Sequence, residues 1–145
     1  IRKMFPDCAI TTDIMVGFAG EAEQEFEESL NFAKEIKFAK SHIFAYSRRN
    51  GTIAYNLPNQ VTKSEKSNRS RKMIEATLST EKEFLNNQIG KTVSVLFETS
   101  DNGYIEGYTK NYSRVKVKSN TSHSGEILKV KLTEVENDYC IGEII

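Results

Sequence analysis

The sequence predicts an α/β first part, a connecting helix and an all-β last part, and three observations carry that prediction. Residues 9–46 hold two apolar runs on either side of a helical repeat. Residues 59–88 are polar, with sparse apolar positions at helical spacing. From residue 89 onward the apolar residues recur at every second position. Periods of 3.6 and 2 separate helices from half-buried strands. The expected organisation is therefore 1–58, 59–88 and 89–145.

In the first part, Ala9-Ile10 and Ile14-Met15-Val16 form the continuous apolar run of a buried parallel strand. It stops at Gly17-Phe18-Ala19-Gly20-Glu21, where the two glycines allow a sharp turn lying close to a ligand. From Glu21 to Ile36, Phe26, Leu30, Ala33 and Ile36 recur at helical spacing, with acids crowding the first turns where the macrodipole favours them. Ile43-Phe44-Ala45-Tyr46 supplies a second strand, completing a strand-helix-strand unit that should cross over right-handed. It runs into Ser47-Arg48-Arg49-Asn50-Gly51-Thr52, a polar loop. In such sheets ligands sit beyond the carboxyl ends of the strands, which is where both loops fall. Taken alone, Gly17-x-x-Gly20 also reads as a plain strand-to-helix turn, and the dinucleotide spacing G-x-G-x-x-G is missing.

The middle segment reads as a long, mostly solvated helix. Its Lys63, Lys66, Arg69, Arg71 and Lys72 form either a solvated face or a contact for RNA phosphate. Five strands follow, at Lys91–Glu98, Tyr104–Tyr108, Arg114–Lys118, Gly125–Val135 and Tyr139–Ile144. The separators are turn chemistry, such as Asp101-Asn102-Gly103 and Glu136-Asn137-Asp138. Five short antiparallel strands most economically close on themselves, because closure removes exposed edges; a small barrel of the OB type is expected. Around its second turn, Tyr108, Lys110, Tyr112, Arg114 and Lys116 set aromatic rings among cations. That is the composition of a surface where bases stack and phosphates pair, or equally of rings packed over a barrel mouth beside ordinary outward lysines.

Composition narrows the classes. The 145 residues carry 20 basic and 20 acidic side chains, so any attraction to nucleic acid must come from a local patch. The 38% hydrophobic content, with six Tyr and eight Phe, suffices for folded cores. No apolar stretch approaches the ~20 residues of a membrane helix, and the first residues lack the order of a signal peptide. A cytoplasmic protein without a membrane partner is expected. Cys8 and Cys140 lie at opposite ends without metal-ligand spacing and read as reduced thiols. His42 and His123 are isolated, and His42 reads as structural. The missing initiator Met suggests sequence upstream of Ile1.

Five stretches in order carry a family resemblance: Thr12-Asp13-Ile14-Met15-Val16-Gly17-Phe18-Ala19-Gly20-Glu21; His42-Ile43-Phe44-Ala45-Tyr46-Ser47-x-Arg49-x-Gly51-Thr52-x-Ala54; Gln60-Val61; Ile89-Gly90-Lys91; and Gly107-Tyr108-Thr109-x-Asn111-Tyr112. Together they resemble the C-terminal part of a methylthiotransferase of the radical S-adenosylmethionine superfamily. The resemblance implies the last strands of a partial (β/α) barrel followed by a C-terminal TRAM domain. The Gly-Tyr-Thr-x-Asn-Tyr stretch is similar to the branch that modifies threonylcarbamoyladenosine at position 37 of tRNA. For the full-length family it implies S-adenosylmethionine and four-iron four-sulfur clusters, which supply the radical chemistry that side chains cannot.

Carried over by position, Asp13, Val16, Gly17, Gly20, Glu21, Ser47 and Arg49 would line the S-adenosylmethionine pocket. Val16 and Gly17 would lie beside the adenosine, and Arg49 would pair with a carboxylate. Tyr108, Lys110, Asn111, Tyr112, Arg114 and Lys116 would contact the tRNA anticodon arm. The family's CxxxCxxC loop is absent, so no bound cluster and no activity of this chain alone are expected, and the parent enzyme's N-terminal region is an implied partner. Where the family usually has proline the chain has Ala19, Ala45, Arg48, Asn50 and Ile53, which should leave the loops floppier. Three readings follow: part of a larger methylthiotransferase, a stand-alone RNA-binding protein degenerated from that family, or a small nucleotide-binding enzyme built on Gly17 to Gly20. In the first, the apolar flanks of the strand-helix-strand unit should be left open.

Overall fold

The computed structural model describes residues 1–145. Contacts divide them into two compact units, one of residues 10–81 and one of residues 82–145 with residues 1–9. This division falls elsewhere than the expected boundaries at 58 and 88, because the central helix belongs to both units.

In the first unit, β1 (Thr11–Val16), α1 (Glu23–Ile36) and β2 (Lys40–Ala45) form the expected strand-helix-strand. The strands pair in parallel, with Ile14 opposite Ile43 and Met15 opposite Phe44. Glu25 reaches back to accept the Ala22 N–H at 2.7 Å, giving α1 a capped start although Ala22 has no capping side chain. Lys37 ends it in a left-handed conformation, its N–H bonding the Ala33 carbonyl. One side of the two-stranded sheet is covered: Val16, Phe26, Ala33 and Met73 are buried, with Ile14, Leu30, Phe38 and Ile43 packed on them. The other side is open, with Met15 55% and Phe44 54% exposed.

After a short 3-10 turn at Ile53–Asn56 comes α2 (Lys63–Asn86). Thr62 and Glu65 start it with a reciprocal capping box, each accepting the other's backbone N–H at 3.2 Å. Most of its residues are exposed, in keeping with a mostly solvated helix, but one face is not. Arg69, Met73, Thr77 and Thr80, spaced along one helical face, are buried. Thr80 donates from its hydroxyl to the Phe38 carbonyl, tying the helix to the end of α1. Further along, Leu85 belongs to the core of the second unit.

That second unit holds β3 (Thr92–Asp101), β4 (Tyr104–Thr109), β5 (Arg114–Lys118), β6 (Ile127–Glu136) and β7 (Tyr139–Ile144), close to the expected strands. Their pairing closes on itself in the order β3-β4-β5-β7-β6, antiparallel except between β5 and β7. Val95, Phe97, Ile105, Val115, Val117, Val130, Leu132 and Cys140 fill the interior. Gly107 is fixed by this closure, since a Cβ there would lie 2.1 Å from the Leu96 carbonyl oxygen. β3 must therefore press directly on the β4 backbone at a position without a side chain, next to the register shift between Phe97 and Thr99.

Candidate cofactor loops and nucleic-acid face

The loop after β1 is built by a glycine turn and ion pairing. Val16 ends β1 buried, and its carbonyl accepts the Tyr46 N–H, so the strand pairing continues to the loop mouth. Gly17 has φ +73, and an added Cβ would strike the Lys66 side chain at 2.5 Å. Its N–H donates to the Glu21 carboxylate at 2.6 Å, and the Gly20 N–H donates to the Asn59 carbonyl. Glu21 in turn accepts from Arg69 at 2.6 Å, and Arg69 also reaches Glu23 at 3.1 Å. Burial works against the Arg69 charge, but the bonds to Glu21 and Glu23 outweigh it and hold its pKa above the ordinary value. Asp13 lies on the open sheet side, and Ser47 and Arg49 are exposed beyond β2. Of the residues predicted to meet a cofactor, Glu21 is thus engaged in bracing the Gly17 turn, while Asp13, Ser47 and Arg49 remain outward.

The basic run on α2 does not form a single charged face. Arg69 is buried, Lys72 reaches Glu23 at 3.4 Å, Lys66 lies over the Tyr46 ring at 4.8 Å, and Arg71 bonds Asn68.

On the barrel, the predicted RNA residues separate into three groups. Asn111 turns inward. Its side-chain oxygen accepts from the hydroxyls of Thr109 at 2.6 Å and Ser113 at 2.9 Å, and its amide donates to the Asp7 carbonyl at 3.0 Å. It is a turn organiser next to Tyr112, which lies in the left-handed region at φ +61 and is 84% exposed. Arg114 and Lys116 converge on Glu106, Lys116 at 2.7 Å, and both lie over the Tyr139 ring. The Lys116 bond, with help from Arg114 and against some burial, holds the Glu106 carboxyl below its ordinary value. This cluster is largely self-neutralised. Tyr108, Lys110 and Tyr112 remain, bordering a groove of about 300 Å³ with Leu96 and Ile127.

An iron–sulfur cluster needs several thiolates at one point. Cys140 is buried in the barrel core, where burial pushes its thiol up to about 11, and Cys8 is the chain's other cysteine. No three His, Cys, Asp or Glu side chains converge as a metal site. The residues present do not fit such a cluster. For S-adenosylmethionine the fit is better, because the buried Tyr46 hydroxyl and the Gln60 side-chain oxygen, each beside a loop at the strand ends, lack protein partners.

No protein-family profile matches the chain. Individual relatives do, along its whole length. It is 34% identical to threonylcarbamoyladenosine tRNA methylthiotransferase MtaB of Bacillus subtilis. It is 32% and 36% identical to the tRNA-2-methylthio-N(6)-dimethylallyladenosine synthases of Caldicellulosiruptor saccharolyticus and Clostridium novyi. This chain is related to the tRNA methylthiotransferases. Each match takes in all of the chain and 33%, 31% and 33% of the respective relative, so the chain spans about a third of their length.

Against the methylthiotransferase pattern, one departure is compensated in the structure. Arg48 stands where proline was expected, and its Nε donates to the Tyr55 carbonyl at 2.7 Å while its guanidinium lies 4.2 Å over the Tyr55 ring. The loop after β2 is thereby braced by a side chain at this point. Sequence reasoning missed Lys91 and Lys129, which border a second barrel groove with Lys110. It also missed Leu96 and Ile127; the outward phase of β3 and β6 carried that signal, since an apolar residue on an outward position is the exception.

Proposed function

We propose that this chain is the C-terminal part of a tRNA methylthiotransferase. In this reading residues 10–81 complete the S-adenosylmethionine-holding partial barrel, and the closed β unit is an OB-like TRAM domain gripping the tRNA anticodon arm. The observation that carries it is the full-length match to methylthiotransferases of which the chain spans a third. The open sheet side supports it: a parallel pair with Met15 and Phe44 exposed is suited to further strands and side chains packing there. Asp13, Val16, Gly17, Gly20, Ser47 and Arg49 then line the cofactor pocket, with Glu21 holding the first loop in shape. The adenosyl radical chemistry belongs to cofactor and cluster held by the rest of the enzyme. The Gly107-Tyr108-Thr109-x-Asn111-Tyr112 stretch favours threonylcarbamoyladenosine at position 37 as the nucleoside receiving the methylthio group, in a cytoplasmic setting.

The reading frame upstream of Ile1 is expected to encode CxxxCxxC; an in-frame stop directly before Ile1 would instead favour a stand-alone RNA-binding protein. Deleting the gene should abolish the methylthio derivative of threonylcarbamoyladenosine in nucleoside mass spectra of bulk tRNA. Loss of the dimethylallyl derivative alone would transfer the assignment to the other branch.

A further inference from the structure

The barrel's outer surface carries two adjoining rows set by strand register. Tyr108 pairs with Leu96, and Leu96 pairs with Ile127, placing three exposed apolar side chains across β4, β3 and β6 in one line. Two residues along, roughly 7 Å at strand rise, Ser94 pairs with Lys129. The groove beside the first row takes Tyr112 and Lys110, and the groove of about 360 Å³ beside the second takes Lys110, Lys129 and Lys91. Lys110 and Lys129 are exposed. Lys91 meets the Asp7 carboxylate at 2.7 Å, so an acidic oxygen already occupies the position at its ammonium.

These features are the two halves of a single-strand binding surface: ring faces for bases, and a line of ammonium groups for the backbone. Lys110 and Lys129 carry the unspent charge, whereas Lys91 is paired with Asp7, and Arg114 and Lys116 with Glu106. We propose that the backbone phosphates of unpaired RNA are bound by Lys110 and Lys129, with a base stacked on Tyr112 beside Tyr108. Arg114 and Lys116 act as positioning residues that join β4 to β5. This rests on the RNA-binding reading above and assigns its contacts. Tyr112 sits in the turn of the Thr109–Asn111–Ser113 hydrogen bonds, a bulky residue at positive φ. An aromatic ring held outward at that conformational cost is accounted for by a contact with a base.

The test is fluorescence anisotropy of a labelled tRNA anticodon stem-loop on the full chain, between about 50 and 200 mM salt. Replacing two phosphate-binding lysines, as in K110A/K129A, should lower the slope of log affinity against log salt by about 2. Lys116→Ala should leave that slope unchanged. Tyr112→Asn keeps a residue that tolerates the left-handed turn but removes the ring, and should weaken binding ~5- to 150-fold with the slope intact. If K110A/K129A keeps the parent slope while Lys116→Ala loses it, this assignment is overturned and RNA binding stands. A parent chain that fails to bind the stem-loop at the lowest salt overturns both. Equal binding of poly-glutamate overturns the RNA assignment in favour of a general anion surface.

Discussion

The two units bury their side chains by different means. The barrel has a ring of paired strands around an apolar interior, and none of the chain's buried side-chain polar atoms lacking a partner falls within it. All five of those atoms, on Ser41, Tyr46, Gln60, Arg69 and Ser70, belong to residues 10–81. There the buried core is four side chains, helped by the Arg69 pairing with Glu21 and Glu23. Native interiors leave few such groups unpaired, because each costs about 1–3 kcal/mol. The unit of residues 10–81 carries all five and exposes one side of its sheet, so its polar groups are less completely paired than the barrel's.

The sharpest way to break this comparison uses one residue type in both units. Phe97 is fully buried in the barrel, and Phe97→Ala should cost about 3–5 kcal/mol in denaturant unfolding. Phe44 lies on the open sheet side, and Phe44→Ala should change stability by no more than about 0.5 kcal/mol. Equal losses would mean that the open side is packed in solution, and the contrast between the units would collapse. A second pair compares arginines. Arg69→Ala leaves the half-buried Glu21 without its cation and should cost about 3–5 kcal/mol. Arg114→Ala removes a partly exposed partner and should cost under about 1 kcal/mol.

The barrel pairing also sets a pH response. Glu106 has its carboxyl held below the ordinary 4.5, chiefly by Lys116. A depressed folded value means that this contribution is present at neutral pH and is lost as pH falls from about 4.5 through the folded value. Glu106→Gln should therefore flatten the acid limb of the stability profile. An unchanged acid limb would place the acid sensitivity elsewhere.

The strands of the barrel were legible because period-two alternation and turn residues speak for themselves: β5 and β7 lie on the predicted residues, and β3, β4 and β6 are displaced by a few positions at their ends. The parallel pair was legible for a related reason, as Ile14-Met15-Val16 and Ile43-Phe44 are continuous apolar runs, the pattern of parallel strands. Less legible was α2. Its Lys and Arg content reads as solvated, and nothing local distinguishes Arg69, which is buried by acids 46 and 48 positions away, from Arg71, which is exposed. The same blindness affected the barrel cations. Lys116 and Lys129 both stand on outward strand positions, but Lys116 pairs across strands with Glu106 whereas Lys129 pairs with Ser94. Register, which sequence does not print, decides which charge is free.

The smallest effect expected is chemical, and it reports on the closed unit alone. Cys140 is fully buried among the barrel's apolar side chains, and burial raises its thiol from 9.0 to about 11. A raised folded value means the proton is retained where the unfolded chain would lose it. The associated stability is complete below about 9 and declines as pH rises from there toward 11. Near pH 7 the thiolate fraction is minute and the sulfur is inaccessible, so a disulfide reagent should reach Cys140 only through opening of the barrel. In a Cys8→Ala background, labelling should be slow in the parent, accelerated by Phe97→Ala, and indifferent to Phe44→Ala. Fast labelling of the parent would show that the barrel opens as readily as a unit with an uncovered sheet. Acceleration by Phe44→Ala would mean that damage to the open side reaches the barrel interior, so that the two units share one cooperative transition despite their different construction.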